Sequence, residues 1–417
     1  MPSLHEWQKK LESMDPSKIE LGLDRVKSVF DLLGIHFRGK VILVAGTNGK
    51  GSTVAALETL LLRQGATVGA YTSPHLQRFN ERARYNGHAA LDDELVSAFN
   101  YVESKKGKIP LTYFEFTTLA VMWYFAEKNP DYMIYEVGLG GRLDAVNVLD
   151  ADIAVITGVA LDHTDWLGPN EEFIGYEKAG IYRSGRPAVF AGKEIPNTVK
   201  ERISELDSIP FLRGEQIHCD DLDGCFMFQV RDAQGLNQQL EIPHPRLPKD
   251  SILAALTAYR LLGFDLTPET SKILASVELP GRYQHAMLGN LSLVLDVAHN
   301  PQAANYLAAN LRRDRGLSDK PDAIVGVMRD KPFGQMFESL CPEIQDWYLV
   351  VPDIPRAAST EKMRRELIKL NVSPDCIHEV GKVANLKSML DTMAAAVVFG
   401  SFYTVGEFLD HFGDQIE

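Results

Sequence analysis

From about Val41 onward, short apolar runs rich in β-branched residues alternate with stretches of helical period, the pattern of βαβ units and a mostly parallel sheet. The runs predict strands over Val41–Ala45, Thr67–Thr72, Tyr132–Val137, Ile153–Thr157 and Pro187–Ala191, then over Leu291–Asp296, Ala323–Val327, Trp347–Val351 and Ala395–Gly400. Between the first two, Ser52–Arg63 puts Val54, Leu57, Leu60 and Leu61 on one helical face, and Gly65 offers a stop. The stretch Lys193–Leu247 differs. It is rich in Asp, Gln, Gly and Pro, with a short run at Gly224–Val230, and predicts a small appended antiparallel sheet. Helical period returns at Ser251–Leu262. Leu279-Pro280-Gly281 then reads as a hinge before a second α/β set, so two domains are expected, residues 1–285 and 286–417.

Composition narrows the partners. A chain of 417 residues can bury two cores, and 45% hydrophobic with 24% charged residues falls in the globular range. A net charge of -13 argues against nucleic acid and against an anionic membrane, both of which are held by clustered Lys and Arg. Any phosphate must therefore be gripped locally. The four cysteines, Cys219, Cys225, Cys341 and Cys376, show no CxxC spacing and read as reduced thiols. No segment has the apolar length of a signal peptide or a membrane span, so a cytoplasmic location is expected.

The run Val41–Ala45 passes directly into Gly46-Thr47-Asn48-Gly49-Lys50-Gly51-Ser52-Thr53 and then into the first long helix. A strand, a glycine-rich turn and a helix N-terminus make a phosphate cradle. Backbone N–H groups turn toward the ligand, Lys50 reaches the β- and γ-phosphates, and a hydroxyl follows to bind Mg2+. An acidic protein can hold ATP this way. The pattern GxxxxGK[ST] is broken twice, because Gly51 separates Lys50 from Ser52 and Val44 stands where the first glycine should be. A tight turn with a solvated lysine is the plainer explanation, but strand before and helix after speak against it.

Three more groups suited to Mg2+ close strands or follow them: Ser73, Glu136 and His163. In an open parallel sheet the carboxyl ends of the strands share one edge, so these groups should converge on the phosphate loop. Singly, they read as a helix cap, a surface charge and a loop histidine. A glutamate closing the apolar strand Tyr132–Val137 resists that reading, since a buried carboxylate needs a partner or a metal.

Several longer motifs occur in order along nearly the whole chain. They are Val44-Ala45-Gly46-Thr47-Asn48-Gly49-Lys50-Gly51-Ser52, Leu111-Thr112-Tyr113-Phe114-Glu115, Glu136-Val137-Gly138-Leu139-Gly140-Gly141-Arg142-Leu143-Asp144 and Leu161-Asp162-His163-Thr164-Asp165-Trp166-Leu167-Gly168. Glu177-Lys178-Ala179-Gly180-Ile181, Leu279-Pro280-Gly281-Arg282 and Asp296-Val297-Ala298-His299-Asn300-Pro301 complete the set. Together they resemble the folylpolyglutamate synthases of the Mur ligase superfamily, most closely the bifunctional bacterial branch that is also dihydrofolate synthase. The intervening Gly51 is a feature of that family.

The resemblance implies a P-loop-type α/β domain followed by a Rossmann-like α/β domain. It also implies an ATP-dependent ligase in which ATP converts a carboxylate to an acyl phosphate and the amine of L-glutamate then attacks; a monomer is expected. Dihydropteroate and reduced folates are the implied acceptors. By residue, Gly46 to Thr53 with Arg282 and Asn300 would hold the nucleotide, and Ser73, Glu136 and His163 would hold Mg2+. Lys178 would be carbamylated and hold a second Mg2+; without the resemblance it reads as a solvated helix residue. Lys50, Lys178, Asp296 and His299 would be catalytic, and Ser401 would meet glutamate. Asn300-Pro301 also has the plain form of a helix cap. Leu21, Thr112, Phe114, Asp144 and Ala145 would line the pterin pocket, where Phe114 could stack on a flat heterocycle. Three alternatives stay open: a monofunctional folylpolyglutamate synthase, another amino-acid ligase of the superfamily, and a nucleotide-driven switch that makes no bond.

Overall fold

Each strand expected from an apolar run is present in the computed structural model, which describes residues 2–14, 20–315 and 320–416. The chain forms two units, Met1–His75 with Phe79–Val277, and Leu76–Arg78 with Glu278–Glu417. The first holds β1 (Lys40–Ala45), β2 (Val68–Tyr71), β3 (Ala83–Tyr85), β4 (His88–Ala89), β5 (Tyr132–Glu136), β6 (Ile153–Ile156), β7 (Pro187–Phe190) and β8 (Ile209–Leu212). Their order is β4-β3-β2-β5-β1-β6-β7-β8, parallel from β2 to β8 with β3 and β4 antiparallel at one edge. After β1 the chain builds toward β2 on one side and later returns to place β6 on the other. The carboxyl end of β1 is therefore the point where strand order reverses, which is where open parallel sheets bind their ligands.

The helix Lys50–Arg63 buries Val54, Leu57, Leu60 and Leu61, as expected from their spacing, and packs against the helix Lys249–Leu261. The helix Tyr113–Lys128 covers the sheet elsewhere, burying Phe116, Leu119 and Ala120. The appended sheet is antiparallel as expected, with β9 (Ile217–Leu222), β10 (Cys225–Arg231) and β11 (Asn237–Pro243). Arg260, buried on the helix Lys249–Leu261, anchors it by donating to Asp232 at 2.5 Å and to Asp265 at 2.6 Å.

In the second unit, β12 (Gln284–Leu288), β13 (Leu291–Leu295), β14 (Asp322–Val325), β15 (Trp347–Val350), β16 (Ile377–Gly381) and β17 (Ala395–Phe399) form a sheet in the order β12-β13-β17-β14-β15-β16. Only β12 is antiparallel. Apolar clusters fill both faces of this sheet. The division between units falls at Val277/Glu278, a few residues before the expected 285/286, because β12 pairs with β13 and so belongs to the second sheet. Among the described residues, no helix is long and apolar enough to cross a membrane.

Candidate active site

β1 ends at Ala45, and the chain then turns through Gly46 (φ +149°) and Gly49 (φ +83°). Space requires glycine at both positions as much as φ does. A Cβ at Gly46 would overlap Thr157 Oγ1, and one at Gly49 would lie 2.5 Å from Ser251 Oγ. Those two hydroxyls hold the turn. Thr157 Oγ1 donates to the Asn48 carbonyl at 2.6 Å, and Ser251 Oγ donates to the Gly49 carbonyl at 3.0 Å. Thr47 is tied down too: its N–H donates to the Gly158 carbonyl at 3.0 Å, and its hydroxyl accepts the Ala160 N–H at 3.0 Å.

The helix Lys50–Arg63 starts at Gly49 with no side-chain cap, so no side chain competes for its first N–H groups. Lys50 Nζ folds back onto the Gly46 and Thr47 carbonyls at 3.0 and 3.3 Å. Ser52 is buried, and its hydroxyl makes no hydrogen bond among the described residues. Leaving a buried hydroxyl unsatisfied costs about 1–3 kcal/mol. An unsatisfied buried hydroxyl in the first turn of the helix that follows a glycine-rich loop is the kind of ligand that Mg2+ takes, so the residues present fit the ion.

Glu136 closes β5 beside Val44 of β1 and is buried. Its carboxylate accepts the Ser73 N–H at 3.1 Å, which brings two of the three expected Mg2+ groups together. His163 lies on an exposed turn (φ +52°) at the start of the helix Thr164–Leu167. Among the described residues, no three His, Cys, Asp or Glu side chains form a group that could hold an ion. A cation here would complete its shell with hydroxyl, phosphate and water oxygens, as Mg2+ does.

Lys178, solvated by its sequence pattern, is only 3% exposed. Burial pushes its ammonium down to about 7; the Lys50 charge adds to this, while Asp162 and Asp144 oppose it. Burial raises the Asp144 carboxyl to about 6, against backbone donors and the charge of Lys50. Asp144 accepts from the Leu139 N–H at 2.8 Å and the Val146 N–H at 3.0 Å. Lys50, Asp144 and Lys178 thus share one electrostatic neighbourhood.

Of the expected pterin-pocket residues, Phe114 lays its ring on Gly138, where a Cβ would approach it to 2.5 Å. Ala145 is buried next to Asp144. Thr112 caps the helix Tyr113–Lys128 in a capping box with Glu115, which Arg25 in turn pairs at 2.9 Å. Leu21 is 37% exposed, ahead of the helix Asp24–Leu33.

In the second unit, Asp296 follows β13 and accepts the Tyr283 and Ala298 N–H groups, each at 2.8 Å. Burial raises its carboxyl, while the charge of Arg282 opposes the shift. The Arg282 guanidinium lies 4.7 Å from the centre of the Phe402 ring, and the His299 ring lies 6.2 Å from it. Asn300 caps the helix Pro301–Arg315 by accepting the Ala303 N–H, with Pro301 at the first position as expected. Ser401 caps the helix Phe402–Phe412 by accepting the Thr404 N–H at 3.0 Å. Phe402, Thr157 and Ser251 are absent from the motif-based set. The signals for them are slight: a hydroxyl closing the run Ile153–Thr157, and one opening the helical stretch at Ser251.

The Mur ligase middle domain matches residues 44–191, and the Mur ligase, glutamate ligase domain matches residues 281–402. Dihydrofolate synthase/folylpolyglutamate synthase of Escherichia coli (strain K12) is 38% identical over 98% of this chain and 95% of its own length. Folylpolyglutamate synthase of Lacticaseibacillus casei is 33% identical over 77% of this chain and 78% of its own. Among solved structures, E. coli FolC in complex with DHPP and ADP matches with a TM-score of 0.89 at 36% identity, covering 99% of this chain and 98% of that one. The bifunctional folylpolyglutamate synthase/dihydrofolate synthase from Yersinia pestis, complexed with AMPPNP and Mn ion, matches with a TM-score of 0.88 at 37% identity, covering 98% of each chain. With its phosphate turn, its glutamate-ligase domain and near full-length relatives, the chain belongs to the dihydrofolate synthase/folylpolyglutamate synthase family of Mur ligases.

Proposed function

We propose that this protein is an ATP-dependent ligase that joins L-glutamate to dihydropteroate, giving dihydrofolate, and to reduced folates, giving folylpolyglutamates. The observation that carries this is the phosphate turn at the strand-order reversal, with its folded-back Lys50 and its buried Ser52 hydroxyl. The E. coli relative bound to DHPP and ADP, and the Yersinia relative bound to AMPPNP and Mn ion, support the same substrates here.

The chemistry follows from the residues. An oxygen of the acceptor carboxylate attacks the γ-phosphorus of ATP, the bond to the bridging oxygen of ADP breaks, and an acyl phosphate forms. Lys50 exchanges the Gly46 and Thr47 carbonyls for phosphate oxygens, and the loop N–H groups meet the charge that develops. Mg2+ held by Ser73, Glu136 and His163 would spread the charge of the transferring phosphoryl group. The amine of glutamate then attacks the acyl carbon, loses a proton, and the tetrahedral intermediate expels phosphate. Arg282, Asp296, His299 and Asn300 would act on nucleotide and glutamate, with Ser401 at the amino acid. Phe114 would stack on the pterin beside Thr112, Asp144, Ala145 and Leu21.

A lysine pushed down to about 7 is partly neutral at physiological pH, and a neutral amine is what carbamylation requires, so Lys178 is suited to it. All four cysteines are unpaired, in keeping with a cytoplasmic enzyme, and we read the chain as a monomer. The test uses acceptor labelled with heavy oxygen in its carboxylate. The label is expected in the released phosphate, and release is expected only when glutamate and acceptor are both present. Unlabelled phosphate would sink the acyl phosphate, and acceptor-independent turnover would favour the switch.

A further inference from the structure

Glu58 lies two turns into the helix that begins at Lys50 and is buried at 5% exposure. A carboxylate there needs a cation. Arg84, on β3, supplies one, with Nη2 2.7 Å and Nε 3.0 Å from Glu58 Oε2. The same guanidinium has another branch: Nη1 donates to the Thr72 hydroxyl at 3.0 Å and to the Glu81 carbonyl at 3.2 Å. The Thr72 N–H donates to the Arg82 carbonyl at 2.9 Å, so this residue is held from two directions. The next residue is Ser73, whose N–H meets Glu136. An unbroken series of contacts thus runs from the phosphate-loop helix, through Arg84 and Thr72, to the Ser73–Glu136 pair. Stability alone gives a poor account of it, because a buried ion pair is often no better than a well-packed apolar pair, and the branch onto Thr72 adds nothing to neutralising Glu58.

We propose that Arg84 is a positioning residue for the divalent cation. Through Glu58 it holds the helix that carries Lys50 and Ser52, and through Thr72 it holds the strand end that carries Ser73. One rigid planar group thereby fixes the spacing between the phosphate grip and the metal-binding edge. The proposal rests on the assignment of Ser73 and Glu136 to the cation.

Thr72→Val removes the hydroxyl that Arg84 holds and leaves the Glu58–Arg84 pair intact, whereas Thr72→Ser keeps the hydroxyl. Mn2+ affinity is measured by electron paramagnetic resonance on the full chain with a non-hydrolysable ATP analogue. The affinity for that analogue in EDTA is measured alongside. Thr72→Val is expected to weaken Mn2+ binding roughly ten- to a hundredfold, with Thr72→Ser within about threefold of the parent. Metal-free analogue affinity should stay level in both. Parental Mn2+ affinity in Thr72→Val overturns the proposal, as does the same loss in Thr72→Ser, or an equal loss of metal-free analogue affinity. If Thr72→Val fails to fold, the double variant Glu58→Leu with Arg84→Met, which removes both charges together, is expected to weaken Mn2+ binding by a similar factor, and parental Mn2+ affinity there overturns the proposal. Glu136→Gln tells the two claims apart. Parental Mn2+ affinity there sinks the cation assignment; loss there alongside parental affinity in Thr72→Val sinks only the role of Arg84.

Discussion

A single methyl group at Gly46 tests the phosphate turn most directly. In Gly46→Ala the new Cβ would overlap Thr157 Oγ1, at a backbone φ of +149° that L side chains rarely adopt. Thr157 must then swing its hydroxyl away from the Asn48 carbonyl that it now meets at 2.6 Å. Losing that bond costs about 1 kcal/mol, and the strained backbone adds about 1–3 kcal/mol. The turn therefore reaches its phosphate-binding shape at a penalty of about 2–4 kcal/mol, or about 30- to 1000-fold in nucleotide affinity. Calorimetric titration with a non-hydrolysable ATP analogue reads this, and a double-mutant cycle with Thr157→Ala locates its cause. Alone, Thr157→Ala removes a bond and weakens binding. In the Gly46→Ala background it removes an obstacle and restores part of the affinity, with a coupling of about 1–2 kcal/mol. Analogue binding at the parental level in Gly46→Ala, or additive effects in the cycle, would refute the reasoning.

Lys50→Ala should abolish product formation while leaving far-ultraviolet circular dichroism unchanged, because Nζ hydrogen-bonds to carbonyls of its own loop rather than tying distant elements together. Asp144 has a folded carboxyl raised from 3.8 to about 6, so the folded state binds the extra proton between those values, and stability is lost as pH rises through them. Against Asp144→Asn, urea titrations should show the parent losing roughly 2 kcal/mol between pH 4 and pH 7; a flat difference would contradict the burial argument. Arg260→Met removes the cation paired with the buried Asp232 and should cost about 3–5 kcal/mol in urea unfolding, whereas adding Asp232→Asn, which keeps an acceptor for the Gln234 and Leu236 N–H groups, should recover part of it.

The strands that the sequence reveals lie mostly inside the two large sheets, where both faces are covered and the residues read as continuous apolar runs. The strands it hides are β3, β4, β8, β12 and β16, which lie at or beside sheet edges. There the pattern is diluted: Ile209 of β8 and Met287 of β12 are exposed, and β16 carries His378 and Glu379. An edge strand needs less apolar surface and benefits from polar residues that discourage further pairing. The site divides in a similar way. Gly46 to Thr53 can be read because local backbone geometry dictates those residue types, and Asn300-Pro301 because a helix start does. The burial of Lys178 is set by packing that no local period records. Thr157, Ser251 and Arg84 reach the turn and the strand end across long stretches of chain, and a lone hydroxyl or arginine leaves no pattern to recognise.

Ser251, which holds the Gly49 carbonyl, lies 202 positions downstream of it. During synthesis the glycine motif emerges early, yet its clasp arrives only after more than half the protein has left the ribosome. A product of interrupted translation that ends before this point would carry the signature of a nucleotide binder, with the turn held from the Thr157 side but not at its Gly49 carbonyl.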